Sequence, residues 1–206
     1  STHPERTGER RYLIRDYAFR YCHTGQQYVD EPNPTAGDYL GFAPVFSMDS
    51  NPLHATRSAD DRRLAEELQA LPMAVREVKM ASRLLRGTAL TGRAATEARF
   101  KREAPSAGIL HLASHAIIDD EEPLYSRLVL SSDAGSGEDG LLHTFELYNM
   151  KLQAHLACLS ACNTGLGKIR SGQGVISLAK GFMVAGVPNV MMSLWSVPDR
   201  STARIM

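Results

Sequence analysis

Residues 156–195 read LACLSACNTGLGKIRSGQGVISLAKGFMVAGVPNVMMSLW and combine two short apolar runs with a helical segment between them. Small and polar residues flank the apolar runs LACLS and VMMSLW. Short apolar runs with such boundaries are typical of strands that are buried on both faces of a parallel sheet. The segment from about Gly174 to Ala185 is apolar, and Gly186 and Pro188 behind it form a helix stop signal. The pattern predicts a strand, a helix and a second parallel strand in one right-handed crossover unit.

Similar apolar runs occur upstream of this unit. ILHLA (residues 109–113) and RLVL (residues 127–130) predict two further strands of the parallel sheet. DYLGFAPVFSM (residues 38–48) has the tyrosine, valine and phenylalanine content of a first core strand, and a short TAL strand follows at residues 88–90. Residues 47–58 read as a loop.

Helical periodicity separates the first strands. Leucines and valines at spacings of three and four over residues 59–86 predict amphipathic helices, and Pro72 divides them in two. A further helix is predicted from about Ala94 to Glu103. Strands alternating with helices indicate a three-layer α/β/α sandwich with a mostly parallel central sheet.

Composition excludes several classes of protein. The chain has 206 residues, and its 23 basic and 23 acidic side chains cancel, which argues against a nucleic-acid or membrane-surface partner. The longest apolar stretch, Leu178–Val197, contains Lys180 and Pro188 and so does not predict a membrane span. Three cysteines without a CxxC pair predict a reduced, cytoplasmic compartment.

The polar N-terminal residues predict an extension or linker over residues 1–36, followed by the main domain over residues 37–206. A new helix is predicted to start near Ser201, so we expect the domain to continue beyond Met206.

Two reactive side chains follow predicted neighbouring strands. His115 comes directly after ILHLAS and Cys162 directly after LACLSA, and functional groups collect at the carboxyl ends of parallel strands. A histidine is the natural partner of a nucleophilic cysteine, because it removes the thiol proton. The backbone N–H groups of Cys162 and Ala116 are candidates for an oxyanion hole. We expect loop residues after each of these side chains.

The other histidines and cysteines favour simpler explanations. Cys158 lies in the middle of its predicted strand, which indicates a small buried side chain. His111 is expected to be buried and hydrogen bonded. His143 and His155 lack the spacing of metal ligands, so the sequence predicts no metal and no cofactor. The glycine-rich segment at residues 165–174 lacks the spacing of a phosphate-binding loop and matches a dinucleotide motif only in part.

Several motifs in this order resemble the CHAT domain family: HLASHA (residues 111–116), PLYSRLVLS, DGLLHTFELYNMKL, LSACNTGLG (residues 159–167) and GQGVISLAKGFMVAGVPNVMMSLWSVPD (residues 172–199). The resemblance extends from about Tyr39 to Met206. That family belongs with caspases, separases and gingipains and often follows tetratricopeptide repeats. The resemblance therefore implies a caspase-hemoglobinase-like fold, with a sensor region on the same chain or in a complex as a partner.

The resemblance also implies roles for residues. His115 matches the family's general acid/base and Cys162 its nucleophile. Two residues depart from the family's pattern. Ala116 replaces the usual glycine, so fewer backbone conformations are allowed at the oxyanion hole. Asn163 replaces a common glutamate.

The segment SLWSVPD looks like the part of separases that lines the substrate pocket. On that likeness, Ser193, Trp195 and Asp199 contribute to substrate binding. We hypothesise that Asp199 selects arginine or lysine before the scissile bond. Capping of a helix by Asp199 is an equally supported interpretation, and relatives also cleave after apolar residues.

Together these observations predict a cysteine endopeptidase that cleaves a specific protein partner, with bacterial defence or signalling as the setting that the family implies. The alternative is a catalytically silent CHAT domain that serves in signalling or assembly. The acidic tract at residues 119–122 is expected to be a solvated loop, and attraction of a basic substrate segment is the alternative. If the pocket accepts basic residues, Lys168 and Arg170 mark a candidate self-processing site.

Overall fold

A computed structural model of the chain describes residues 38–46, 52, 68, 71–133, 135–160 and 173–192. The chain divides into two compact units, Ser1–Glu31 and Pro32–Met206, and all the described residues belong to the second. The predicted extension over residues 1–36 lies outside the described residues and stays a prediction. Eight strands and four α-helices occur in the described part: β1 Tyr39–Ala43, α1 Pro72–Leu84, β2 Thr88–Thr91, α2 Glu97–Glu103, β3 Ile109–Leu112, β4 His115–Ile117, β5 Arg127–Val129, β6 Leu141–His143, α3 Thr144–Leu147, β7 Leu156–Leu159, α4 Gln173–Val184 and β8 Val190–Met192.

The central sheet has five strands in the order β2-β1-β3-β7-β8. Every pair of neighbours in it is parallel. The sequence predictions of these five strands are confirmed. The parallel arrangement brings the carboxyl ends of β3 and β7 side by side at one edge of the sheet.

Side chains of the central strands alternate between two apolar clusters. Leu40, Phe42, Leu110 and Leu112 belong to a large cluster that also contains Phe100 of α2 and Phe182 of α4. The Phe42 and Phe100 rings meet edge to face with their centroids 5.5 Å apart. Such contacts add specific geometry to the burial of aromatic area.

The opposite face of the sheet is covered by α1. Ala43 and Ala113 pack there against Ala74 and Val78 of α1. Helices therefore cover both faces of the sheet, and the predicted α/β sandwich is confirmed. Among the described residues, each helix is too short or too polar to span a bilayer.

Helix α1 begins and ends where the sequence predicts. Pro72 lies at its first turn, where the missing N–H costs nothing. At its end Arg86 has a φ of 54°, and the Gly87 N–H donates to the Ser82 carbonyl. A Cβ on Gly87 would overlap the backbone of Tyr39, so glycine permits the close approach of α1 to β1. The predicted helix before Pro72 lies mostly outside the described residues.

The structure overturns the prediction for residues 127–130. Arg127–Val129 form β5 of a second, three-stranded sheet in the order β4-β5-β6, in which both pairings are antiparallel. The run is apolar throughout because both of its faces are covered: Leu128 and Leu130 join the large cluster, whereas Val129 packs with Leu68. Burial on both faces does not distinguish a parallel from an antiparallel strand.

Candidate active site

The histidine and cysteine motifs follow adjacent strands. Leu112 ends β3 and Leu159 ends β7, and the two leucines are partners in the parallel register. His115 lies three residues after Leu112, and Cys162 lies three residues after Leu159. The two chain segments therefore leave the same edge of the sheet at the same level. Cys162 itself lies outside the described residues.

His115 begins strand β4, where its backbone partner is Val129 of β5. The expectation that loop residues follow this histidine is wrong. Three residues, His115–Ile117, are too few to show an alternating pattern in the sequence, and the pairing partner lies far along the chain.

The imidazole of His115 is nearly buried, with 3% of the residue exposed. Its ring packs against the ring of Phe46, with the centroids 4.9 Å apart and the planes at 49°. Phe46 follows β1, which is the neighbour of β3 in the sheet. Aromatic packing on a histidine restricts the orientations of its ring. The sequence did not single out Phe46, because nothing in its local context links it to residue 115.

Ser114 connects the two sheets. It is fully buried, and its Oγ donates a hydrogen bond to the carbonyl of Val129. Because Val129 is also the strand partner of His115, this bond ties the backbone before the histidine to β5. Ala116, the candidate oxyanion-hole residue, lies in β4 opposite Leu128, and its side chain packs in the large apolar cluster.

The predicted substrate-binding residues Ser193, Trp195 and Asp199 lie outside the described residues, which end at Met192 in β8. β8 is the parallel neighbour of β7.

A buried chain of polar groups lies between α1 and the central sheet. The Tyr39 hydroxyl is 2.8 Å from Nδ1 of His111, and Nε2 of His111 is 2.7 Å from a carboxylate oxygen of Glu77. All three residues are less than 10% exposed. Burial, followed by the nearby Glu77 charge, raises the pKa of Tyr39 well above its usual value. The prediction that His111 is buried and hydrogen bonded is confirmed.

Cys158 lies opposite His111 in the register of β3 and β7. It is a free, buried cysteine, as the sequence predicts. Burial, with the Glu77 charge as a second cause, raises its pKa to about 11. Only the thiolate is nucleophilic, so Cys158 is protected from alkylation near neutral pH.

Three carboxylates surround the ammonium group of Lys101. Its Nζ lies 2.7 Å from Glu97, 2.5 Å from Glu138 and 2.7 Å from Glu146. Their oxygens lie within 4.8 Å of one another, which would suit a cation, but the lysine itself supplies the positive charge. Burial raises the pKa of Glu97 to about 7, although its hydrogen bond with Lys101 opposes the shift.

The acidic tract forms a turn. Oδ1 of Asp119 accepts hydrogen bonds from the N–H groups of Glu121 and Glu122, whose side chains are exposed. The expected solvated loop is confirmed.

A family model described as the CHAT domain matches residues 2–206. The match includes the segments that contain His115 and Cys162. No curated protein matches the chain.

Proposed function

The chain belongs to the CHAT domain family, and on that premise we propose that it is a cysteine endopeptidase in which His115 and Cys162 form the catalytic dyad. The family is related to the caspase-like cysteine peptidases. The observation that supports the proposal best is the register of β3 and β7. Because Leu112 and Leu159 are partners in it, the histidine and cysteine motifs begin at the same level of one sheet edge. Nucleophile and base must lie within hydrogen-bond reach of each other for this chemistry.

In the proposed reaction, His115 takes the thiol proton of Cys162 as the sulfur attacks the scissile carbonyl. The carbonyl oxygen becomes an oxyanion, which the N–H groups of Ala116 and Cys162 stabilise. The C–N bond then breaks, and His115 returns the proton to the leaving amine. Water hydrolyses the remaining thioester with His115 as the base, which regenerates the thiol and releases the new carboxylate.

The partner and the specificity are part of the same proposal. We infer that Asp199, with Trp195 and Ser193, forms a binding site for a basic side chain before the scissile bond, because a carboxylate pairs well with a guanidinium. The substrate is a specific protein, and a sensor region in the same chain or complex controls the activity. Lys168 and Arg170 then become candidate self-processing positions.

The second candidate function is a catalytically silent module for signalling or assembly. One observation favours it: His115 is 3% exposed and packs on Phe46, so its ring has little contact with solvent in the described conformation. An active enzyme requires the substrate to reach this imidazole, which implies a rearrangement of the surrounding side chains.

Cleavage assays separate the two functions. The full-length protein is incubated with peptides that differ only in having arginine, lysine or leucine before the scissile bond, and Cys162→Ala serves as the control. The protease proposal predicts cleavage that the control lacks, and Asp199→Ala should lower cleavage of the basic peptides only. Equal cleavage by wild type and Cys162→Ala would contradict it.

A further inference from the structure

The outward side of α1 is strongly basic. Arg76, Lys79 and Arg83 recur at spacings of three and four residues and so share one face of the helix, and Arg86 lies two residues beyond its end. All four side chains are exposed. The chain as a whole has a formal net charge of zero, so this concentration of positive charge is a local feature.

These cations lack acidic partners among the described residues. From residue 72 to residue 94 the only acidic side chain is Glu77, which is buried and bound to His111. The basic residues of α2 differ in this respect, since Arg99, Lys101 and Arg102 all contact carboxylates. Within the part of the chain that the structure describes, the positive charge of α1 is therefore not neutralised by carboxylates.

Exposed apolar side chains accompany the cations. Met80 is 58% exposed, Leu84 83% and Leu85 45%. Met80 lies one turn from both Arg76 and Arg83, and Leu84 lies one turn beyond Met80. Isolated apolar residues on a surface need no explanation, but a group of three beside four cations is typical of a binding surface.

Arg86 extends the basic surface beyond the end of α1. Its φ of 54° is in the left-handed region, which glycine adopts far more readily than any residue with a Cβ. The hydrogen bond from the Gly87 N–H to the Ser82 carbonyl closes the end of α1 around this residue, which accounts for the left-handed conformation. Arginine at this position adds a fourth cation to the basic surface.

The inner side of α1 is firmly attached to the sheet. Ala74 and Val78 pack on it, and the 2.7 Å contact between Glu77 and His111 adds a buried polar link. A helix that is held in this way presents its outer side chains from a fixed backbone, and preorganisation lowers the entropic cost of binding.

We propose that the surface formed by Arg76, Lys79, Arg83 and Arg86 with Met80, Leu84 and Leu85 binds an acidic segment of a partner protein that also carries apolar side chains. The acidic groups pair with the cations, and the apolar groups cover the methionine and leucines. Nucleic acid fits this surface less well, because the surface has no aromatic side chain on which a base could stack. A bilayer also fits less well, since the buried half of α1 is fixed to the sheet and leaves few apolar residues to insert.

Fluorescence anisotropy with a synthetic peptide tests the proposal on the full chain. The probe is a labelled helical peptide with glutamates and leucines on one face, and the comparison peptide has serine in place of each leucine. We expect the leucine peptide to bind at least ten times more tightly than the serine peptide. Arg76→Glu with Arg83→Glu, and separately Leu84→Ser, should each weaken its binding at least tenfold.

The matched control is Arg93→Glu with Arg102→Glu, which makes the same change in net charge at other exposed positions and should leave binding within twofold. Equal binding of the two peptides would overturn the proposal, because it would show attraction between charges alone. Failure of the leucine peptide to bind would overturn it as well. The protein could instead bind a DNA duplex or phosphatidylserine vesicles in preference to the peptide. If the α1 variants abolished that binding, the surface would belong to a different class of partner, and the proposal of an acidic protein segment would be rejected.

Discussion

Leu112 and Leu159 are register partners at the carboxyl ends of two adjacent parallel strands, and each is followed three residues later by one member of the proposed dyad. This equivalence has a chemical consequence. Two connections of equal length that leave the same sheet edge can hold an imidazole and a thiol near one carbonyl, which is the requirement for acyl transfer.

Substitution of Ser114 should affect both stability and activity. In Ser114→Ala the Val129 carbonyl loses a buried hydrogen bond, which costs about 1–2 kcal/mol of unfolding free energy. Because this bond ties the backbone before His115 to β5, kcat should fall about tenfold while KM stays within twofold. Urea unfolding and steady-state kinetics measure the two effects. Ser136→Ala, in an exposed turn, should change neither, and an unchanged kcat in Ser114→Ala would contradict the positioning role.

Removal of the Glu77 carboxylate should destabilise the fold strongly. Glu77→Ala leaves Nε2 of His111 buried without a hydrogen-bond partner, which costs about 1–3 kcal/mol of unfolding free energy. Glu77→Gln keeps a hydrogen-bond acceptor and should lose less. The urea concentrations at the unfolding midpoints show which of the two variants is less stable. The exposed Glu122→Ala is the control and should stay within about 0.5 kcal/mol of wild type.

Cys158 should resist thiol reagents in the native protein. With its pKa raised to about 11, almost all of the group is protonated at pH 8, and it is 8% exposed. Iodoacetamide at pH 8 should leave Cys158 unmodified until urea unfolds the chain, as peptide mass spectrometry would show. Rapid modification of Cys158 under native conditions would contradict the buried position.

Glu97 should make stability depend on pH. Its pKa is raised from 4.5 to about 7 on folding, so the folded chain retains a proton that the unfolded chain has lost. The contribution of Glu97 to the free energy of unfolding is fully present below about pH 4.5, and it declines as the pH rises towards 7. Glu97→Gln, which cannot lose the proton, should show a smaller decline in unfolding free energy between pH 5 and 7.5. An identical decline in wild type and Glu97→Gln would contradict the raised pKa of Glu97.

The sequence predicted the central sheet because its strands are short apolar runs with clear boundaries, and it predicted α1 and α4 from their periodicity and their Pro72 and Gly186 signals. It failed at the second sheet. β4 and β6 have three residues each, too few for a periodic pattern, and β5 is buried on both faces like a parallel strand. The contact between Phe46 and His115 also escaped prediction, since it joins residues that are distant in sequence.

Covalent trapping of the nucleophile tests the central claim most directly. The full-length protein is treated with a peptide acyloxymethyl ketone, and peptide mass spectrometry locates and quantifies the adduct over time. We predict an adduct on Cys162, formed at least about a hundredfold more slowly in His115→Ala, which is the usual contribution of a general base. Equal rates in the two proteins, or an adduct shared evenly with Cys22 and Cys158, would contradict a dyad of His115 and Cys162.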